Sequence, residues 1–110
     1  MIEKTLLDYL SDNLEVFVGF EAPAQETDYV LIDKTGSSRT NHIITSTFAI
    51  QSYGASLYEA MLLNAEVANA MEGFTALDQI TRVELETDYN FTNTTTKQYR
   101  WQAVYDITHY

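Results

Sequence analysis

Apolar residues near the start of the chain recur with helical spacing and then change period. Ile2, Leu6 and Leu10 are spaced by four, and Leu7, Leu10 and Leu14 by three and four. Side chains at such spacings share one side of an α-helix, so residues 2–13 are predicted to be helical with a single apolar stripe. Glu3, Asp8 and Asp12 fall largely away from that stripe, and Glu3 in the first turn complements the helix dipole. Residues 15–20 are rich in β-branched and aromatic side chains and read as a strand. Pro23 and the polar stretch to Thr27 read as a loop. A second strand over 28–35 is centred on Tyr29, Val30, Leu31 and Ile32, a continuous run that suits a strand covered on both faces. Gly36-Ser37-Ser38 is a turn signal. A third strand follows from about residue 42 to 53, where Ile44, Phe48 and Ile50 share parity and Asn41, Thr45, Thr47 and Gln51 alternate with them.

Ser56 followed by Glu59 fits a capping box, in which the serine caps the helix and the glutamate reaches back. The helix it opens runs to about Met71, with Ala60, Leu63, Val67 and Met71 on one side. Alanines at 65, 68 and 70 favour the helix, and Gly73 is placed to end it as the C′ residue. The last third reads as a β-hairpin. Thr81, Val83, Leu85 and Thr87 alternate with Arg82, Glu84 and Glu86 over residues 79–88. Over 98–108, Tyr99, Trp101, Ala103, Tyr105 and Ile107 alternate with Arg100, Gln102, Asp106 and Thr108, with Val104 as the one apolar exception on the polar side. A register placing Glu86 opposite Arg100 and Leu85 opposite Trp101 pairs charges on one face and apolar groups on the other. A one-residue slip would mix the faces, so parity is fixed more firmly than pairing. The expected architecture is α+β, a mostly antiparallel sheet with two helices on one face, in the order α-β-β-β-α-β-β, with residues 1–110 forming one domain.

Composition narrows what such a domain can do. The chain is 110 residues long and 45% hydrophobic, a globular composition. It contains no cysteine, which removes disulfides, thiolate metal sites and cysteine nucleophiles. A small core without cross-links either suffices alone or gains burial from neighbouring subunits. The net charge is −10, from 16 acidic and 6 basic residues. Such a surface opposes nucleic-acid grip, which needs cations to displace phosphate counterions. The same charge suits plain solubility, or a lumen through which DNA passes without sticking. The N-terminal stretch is acidic and amphipathic rather than signal-like, so the chain is expected to stay in the cytoplasm where it is made. The sequons beginning at Asn90 and Asn93 then carry no glycan.

The search for chemistry yields few candidates. His42 and His109 lack any patterned carboxylate or nucleophile and read as ordinary surface or edge residues. The four glycines, at 19, 36, 54 and 73, do not cluster into a phosphate cradle. Glu84, Glu86 and Asp88 alternate and so project from one strand face; they read either as a solvated face or as ligands for Ca²⁺ or Mg²⁺. Tyr99, Trp101 and Tyr105 read as core rather than as a stacking platform, because they lie at strand spacing on the apolar side. No catalytic, cofactor or metal site is therefore assigned.

The hairpin tip remains. Asp88, Tyr89, Asn90, Phe91, Thr92, Asn93, Thr94, Thr95, Thr96 and Lys97 form a polar connection of about ten residues, where about two to five is usual. Its two aromatics, Tyr89 and Phe91, make it the candidate partner-contact loop, because exposed aromatics anchor interfaces. It is expected to be mobile in the isolated subunit and to order on assembly.

The segments DYVLIDKTG, TFAIQSYGASLYEAMLLNAEV and RVELETDYNFTNTTTKQYRWQAVYDITHY together resemble small tail proteins of siphophages of Gram-positive bacteria, and within these the tail terminator, or tail-completion, proteins. This resemblance covers nearly the whole chain and rests on element order and texture rather than on a catalytic fingerprint. It implies an α+β subunit of a hexameric ring in the virion, assembled in the host cytoplasm. The ring would cap the head-proximal end of the tail tube, stop its polymerisation and join it to the head connector, with DNA later passing through. A head-closure, connector or minor capsid protein is the neighbouring alternative. A metal-dependent enzyme using Glu84, Glu86 and Asp88, and a free-standing binding module for the host, are the alternatives from other classes.

Overall fold

Two amphipathic helices and five strands assemble so that every apolar stripe meets on one side of one sheet. The computed structural model describes residues 1–110. Helix α1 (Ile2–Asn13) is followed by β1 (Phe17–Gly19), β2 (Tyr29–Thr40), β3 (Ile43–Gly54), helix α2 (Leu57–Glu72), a 3₁₀ turn at Phe74–Ala76, β4 (Ile80–Asn90) and β5 (Tyr99–His109). The order α-β-β-β-α-β-β and the α+β class are those expected. The sheet runs β1-β2-β3-β5-β4, and every pair is antiparallel except β1–β2.

Both helices lie on one face. Ile2, Leu6 and Leu10 of α1 and Leu63, Val67 and Met71 of α2 pack with Val30, Ile32, Phe48, Ile50, Ala103, Tyr105 and Ile107 of the sheet. The Ser56 hydroxyl caps α2 by accepting from the Glu59 amide at 3.2 Å, which is half of the expected capping box. Gly73 follows the helix in right-handed geometry (φ −89°) rather than as a left-handed C′ residue. Its lack of a side chain serves a contact: a Cβ there would sit 2.7 Å from the Tyr9 hydroxyl, which donates to the Ala70 carbonyl at 2.6 Å.

Three expectations about the strands are corrected. Gly36-Ser37-Ser38 does not turn. Instead β2 bulges at Thr35, whose hydroxyl donates to the Thr47 carbonyl, and continues to Thr40. The hairpin closes at Asn41 and His42, both with positive φ (52° and 68°), the two-residue geometry that matches strand twist. Leu85 faces Tyr105 rather than Trp101, and Glu86 does not pair with Arg100. The displacement is four residues along β5, so parity survives while the pairing changes. Parity itself fails at a bulge. Leu85 pairs with Tyr105 and Thr87 with Val104, leaving Glu86 as an extra residue. Beyond it Asp88 opposes Ala103 on the helix side and Tyr89 opposes Gln102 on the other, so Asp88 leaves the face of Glu84.

Candidate interaction surface

The sheet face away from the helices is built as a single hydrogen-bonded surface. Its centre is formed where β2, β3 and β5 bring alternate polar and aromatic side chains together. Tyr29 stacks on Tyr53 across β2–β3, with ring centroids 4.5 Å apart and planes at 15°. Tyr53 donates through its hydroxyl to Gln51 Oε1 at 2.9 Å, Gln51 Nε2 donates to Gln102 Oε1 at 2.7 Å, and Gln102 Nε2 donates to the Tyr89 hydroxyl. Arg100 Nη1 donates to the Tyr53 hydroxyl at 3.2 Å, its Nε donates to the Phe91 carbonyl at 2.6 Å, and its guanidinium lies 4.4 Å from the Phe91 ring centroid. Phe91 meets Tyr89 edge to face, with centroids 5.8 Å apart. The chain of contacts runs unbroken from Arg100 to Tyr89 and holds each side chain in one orientation.

These groups shield one another without a covering layer. Tyr29, Tyr53 and Gln102 are buried although no helix lies above them. Burial, and then the neighbouring Tyr53, raise the Tyr29 phenol above its ordinary pKa. Tyr89 and Phe91 at the rim each keep 39% of their surface exposed.

The other half of this face is acidic. Glu84 opposes Asp106, Asp106 opposes Thr47 and Asp33 opposes Ala49, which puts these carboxylates on the helix-free side. The bulged Glu86 joins them. A hydrogen bond to Asp106, and then the Asp106 charge, raise the Glu86 carboxyl above the usual glutamate range. Asp106 also accepts the Thr47 hydroxyl at 2.6 Å, and Arg82 meets Glu84 at 2.9 Å. Because Asp88 points to the helix side, where it accepts from Trp101 Nε1 at 3.3 Å, the carboxylates of Glu84, Glu86 and Asp88 do not converge.

The candidate contact loop is shorter than its sequence implied. Asp88, Tyr89 and Asn90 belong to β4. Thr92 folds back onto Asn90, whose Oδ1 accepts from the Thr92 amide at 3.0 Å and the Thr92 hydroxyl at 2.6 Å. Asn93 and Gln98 exchange two backbone hydrogen bonds, at 3.1 and 3.2 Å. Only Thr94, Thr95, Thr96 and Lys97 lie beyond that pair. Asn93 Oδ1 accepts from the amides of Thr95 and Thr96, and Lys97 completes the turn with φ 56°. Between this tip and the segment before β2 lies a cleft of about 580 Å³, lined by Glu26, Tyr29, Tyr53, Asn93 and Lys97 among others.

The remaining candidates fall away from this surface. His42 is exposed in the β2–β3 turn. His109, expected at the surface, is instead buried on the helix side, and its Nε2 shares a hydrogen bond of 2.8 Å with the Ser46 hydroxyl. Tyr105 is core as expected, and burial, then the charges of Asp88 and Glu72, push its phenol up to about 12. Tyr99 and Trp101 share its parity but are only half-buried. The Tyr53–Gln51–Gln102 network escaped sequence reading because its residues alternate like any solvated strand face; the one signal was the aromatic pair Tyr29 and Tyr53 at strand parity. No family model matches the chain, and no curated protein shows significant similarity to it.

Proposed function

We propose that this chain is a non-catalytic structural subunit of a phage virion, a tail terminator. Its copies form a ring, hexameric by the resemblance noted above, at the head-proximal end of the tail tube. The ring stops tube polymerisation, meets the head connector on its other side and lets DNA pass. The observation that carries this reading is the one-sidedness of the sheet. The helices complete a core on one face, and the other face is a preorganised, partly acidic surface containing Asp33, Glu84, Glu86 and Asp106. A surface locked by its own hydrogen bonds loses little side-chain entropy on docking. An excess of carboxylates facing a channel lets DNA move without releasing counterions onto the wall.

Electron microscopy of a phage deleted for this chain tests the reading. Over-long tails are the expected result. Tails of normal length that leave heads unjoined would assign the chain to head closure instead, and normal joined virions would remove both roles.

A further inference from the structure

We infer that the ring closes by strand pairing between copies, with the free edge of β2 in one subunit taking the free edge of β4 in the next. This rests on the ring reading above and names the contact that would make it. The two edges are unlike and lie on opposite sides of one sheet. On the first side, β1 covers β2 only at Tyr29, Val30 and Leu31, so the stretch from Lys34 to Thr40 has β3 on one side and no strand on the other. All of that stretch is exposed. On the second side, β4 pairs with β5 alone, and its residues from Glu84 to Asn90 are exposed. Beyond the bulges at Thr35 and Glu86, each edge therefore presents a row of unpaired backbone donors and acceptors, the template on which another strand adds.

Direction and charge select the pairing. β2 runs antiparallel to β3, β3 to β5 and β5 to β4, so β4 runs antiparallel to β2. Copies rotated about an axis along the strands keep these directions, and the joint between them becomes one more antiparallel pair in a continuous sheet. The stretch from Lys34 to Thr40 carries Lys34 and Arg39 and no carboxylate, whereas Glu84 to Asp88 carries Glu84, Glu86 and Asp88 and no cation. Lys34 and Arg39 oppose Phe48 and Ile44 and so lie on the helix side, to which Asp88 also turns, while Glu84 and Glu86 lie on the other side; Asp88 is therefore the carboxylate that meets the β2 cations. Lys34 has a neighbour in Glu3 at 3.6 Å, and Arg39 makes no ion pair within its own subunit. An edge of β4 against its own kind sets carboxylates against carboxylates, and β2 against β2 sets cations against cations. The unlike pairing is the one that charge favours, and a contact between unlike surfaces propagates head to tail until rotation closes it.

The absence of native cysteine makes a direct test simple. Ser38→Cys and Glu84→Cys are placed singly and together in the full chain, at exposed positions, and treated with a short bis-maleimide after ring formation. The double variant is expected to give a ladder of linked subunits up to the ring's full count. A mixture of the two single variants should give dimers and nothing larger, and neither single variant alone should link. Thr40→Cys and Thr87→Cys, both exposed on the helix-free face, serve as a second pair if either first variant unfolds. Separately, Arg39→Glu should weaken assembly at least tenfold, as should Asp88→Lys, and combining the two reversals should restore most of it. Rings of full size that link only through like edges, or not at all with either cysteine pair, would overturn the edge pairing and leave the ring reading standing. A native chain that stays monomeric alone and on tail tubes would overturn both.

Discussion

Glu86 hydrogen-bonds through its carboxyl to Asp106, which also accepts the Thr47 hydroxyl at 2.6 Å. Two carboxyl groups so placed favour holding a proton between them, which is why the Glu86 pKa is raised. For a carboxyl whose folded pKa lies above its unfolded value, the folded state binds the proton more tightly. The protonated pair therefore supports folding at low pH, and that support is lost as pH rises from the unfolded glutamate value through the folded one. Glu86→Gln should raise the melting temperature at neutral pH and leave it nearly unchanged below the ordinary glutamate range. Thermal unfolding of both proteins across pH measures this, and equal melting curves at neutral pH would count against the pair.

Tyr105 is held neutral by burial and by nearby carboxylates, with its pKa pushed up to about 12. An unfolded tyrosine ionises near pH 10. Stability from this group is thus complete below that value and falls as pH rises from about 10 toward the folded value. In an absorbance titration of tyrosinate, Tyr105→Phe should remove a late-ionising phenol and flatten the loss of stability in the alkaline range.

Phe48 and Trp101 separate core from rim. Phe48 is fully buried, whereas Trp101 is half-buried and anchored by Asp88. Phe48→Ala should cost about 3–5 kcal/mol. Trp101→Ala should cost less, about 1–2 kcal/mol, as expected for a partly exposed position. Denaturant unfolding of both variants gives the ranking, and a larger loss for Trp101 would contradict it.

Gly54 has no room for a side chain. A Cβ there would lie 2.6 Å from the Ala60 backbone nitrogen and 3.0 Å from Glu59, where the end of β3 meets the first turn of α2. Gly54→Ala should destabilise the chain by about 1–3 kcal/mol through strain at this junction. Gly36, by contrast, has open space around its Cβ position, and Gly36→Ala should be nearly neutral in the same chemical denaturation assay.

The hairpin tip gives a fourth kind of check. The amides of Asn93 and Gln98 donate to each other's carbonyls, so they should be protected from hydrogen exchange in the isolated subunit, while residues 94–97 exchange faster. Lys97→Gly removes a side chain from a left-handed position and should stabilise the hairpin by up to about 1 kcal/mol. Uniformly rapid exchange from 88 to 97 would restore the picture of a long mobile loop.

How far the sequence could be read depended on whether a signal was local. The stripe Ile2-Leu6-Leu10 and the cap at Ser56 are properties of neighbouring residues, and both helices formed where expected. Strand parity was legible for Phe48, Ile50, Ala103, Tyr105 and Ile107 because one face is buried under helices. Turns without glycine were not legible. Asn41 and His42 adopt positive φ in the β2–β3 turn, whereas the stronger signal at Gly36-Ser37-Ser38 lies inside a strand. The tip around Asn93 looked long because its side chains are polar, yet its backbone is paired. On the candidate surface, Tyr89 and Phe91 stood out as aromatics in a polar stretch. Gln51 and Gln102 did not, since an amide that bridges strands and one that faces water are the same letter.

The extra residue at Glu86 bears on descent as well as on shape. In a lineage that lost this one residue, Thr87 would follow Leu85 directly and the strand would alternate without interruption. Asp88 would stay opposite Ala103 on the helix side and Tyr89 opposite Gln102 on the other. A single-codon deletion would thus straighten the strand without moving either face of the hairpin's outer half, and gain or loss of a residue at this position should occur along a family's branches without a change of partner.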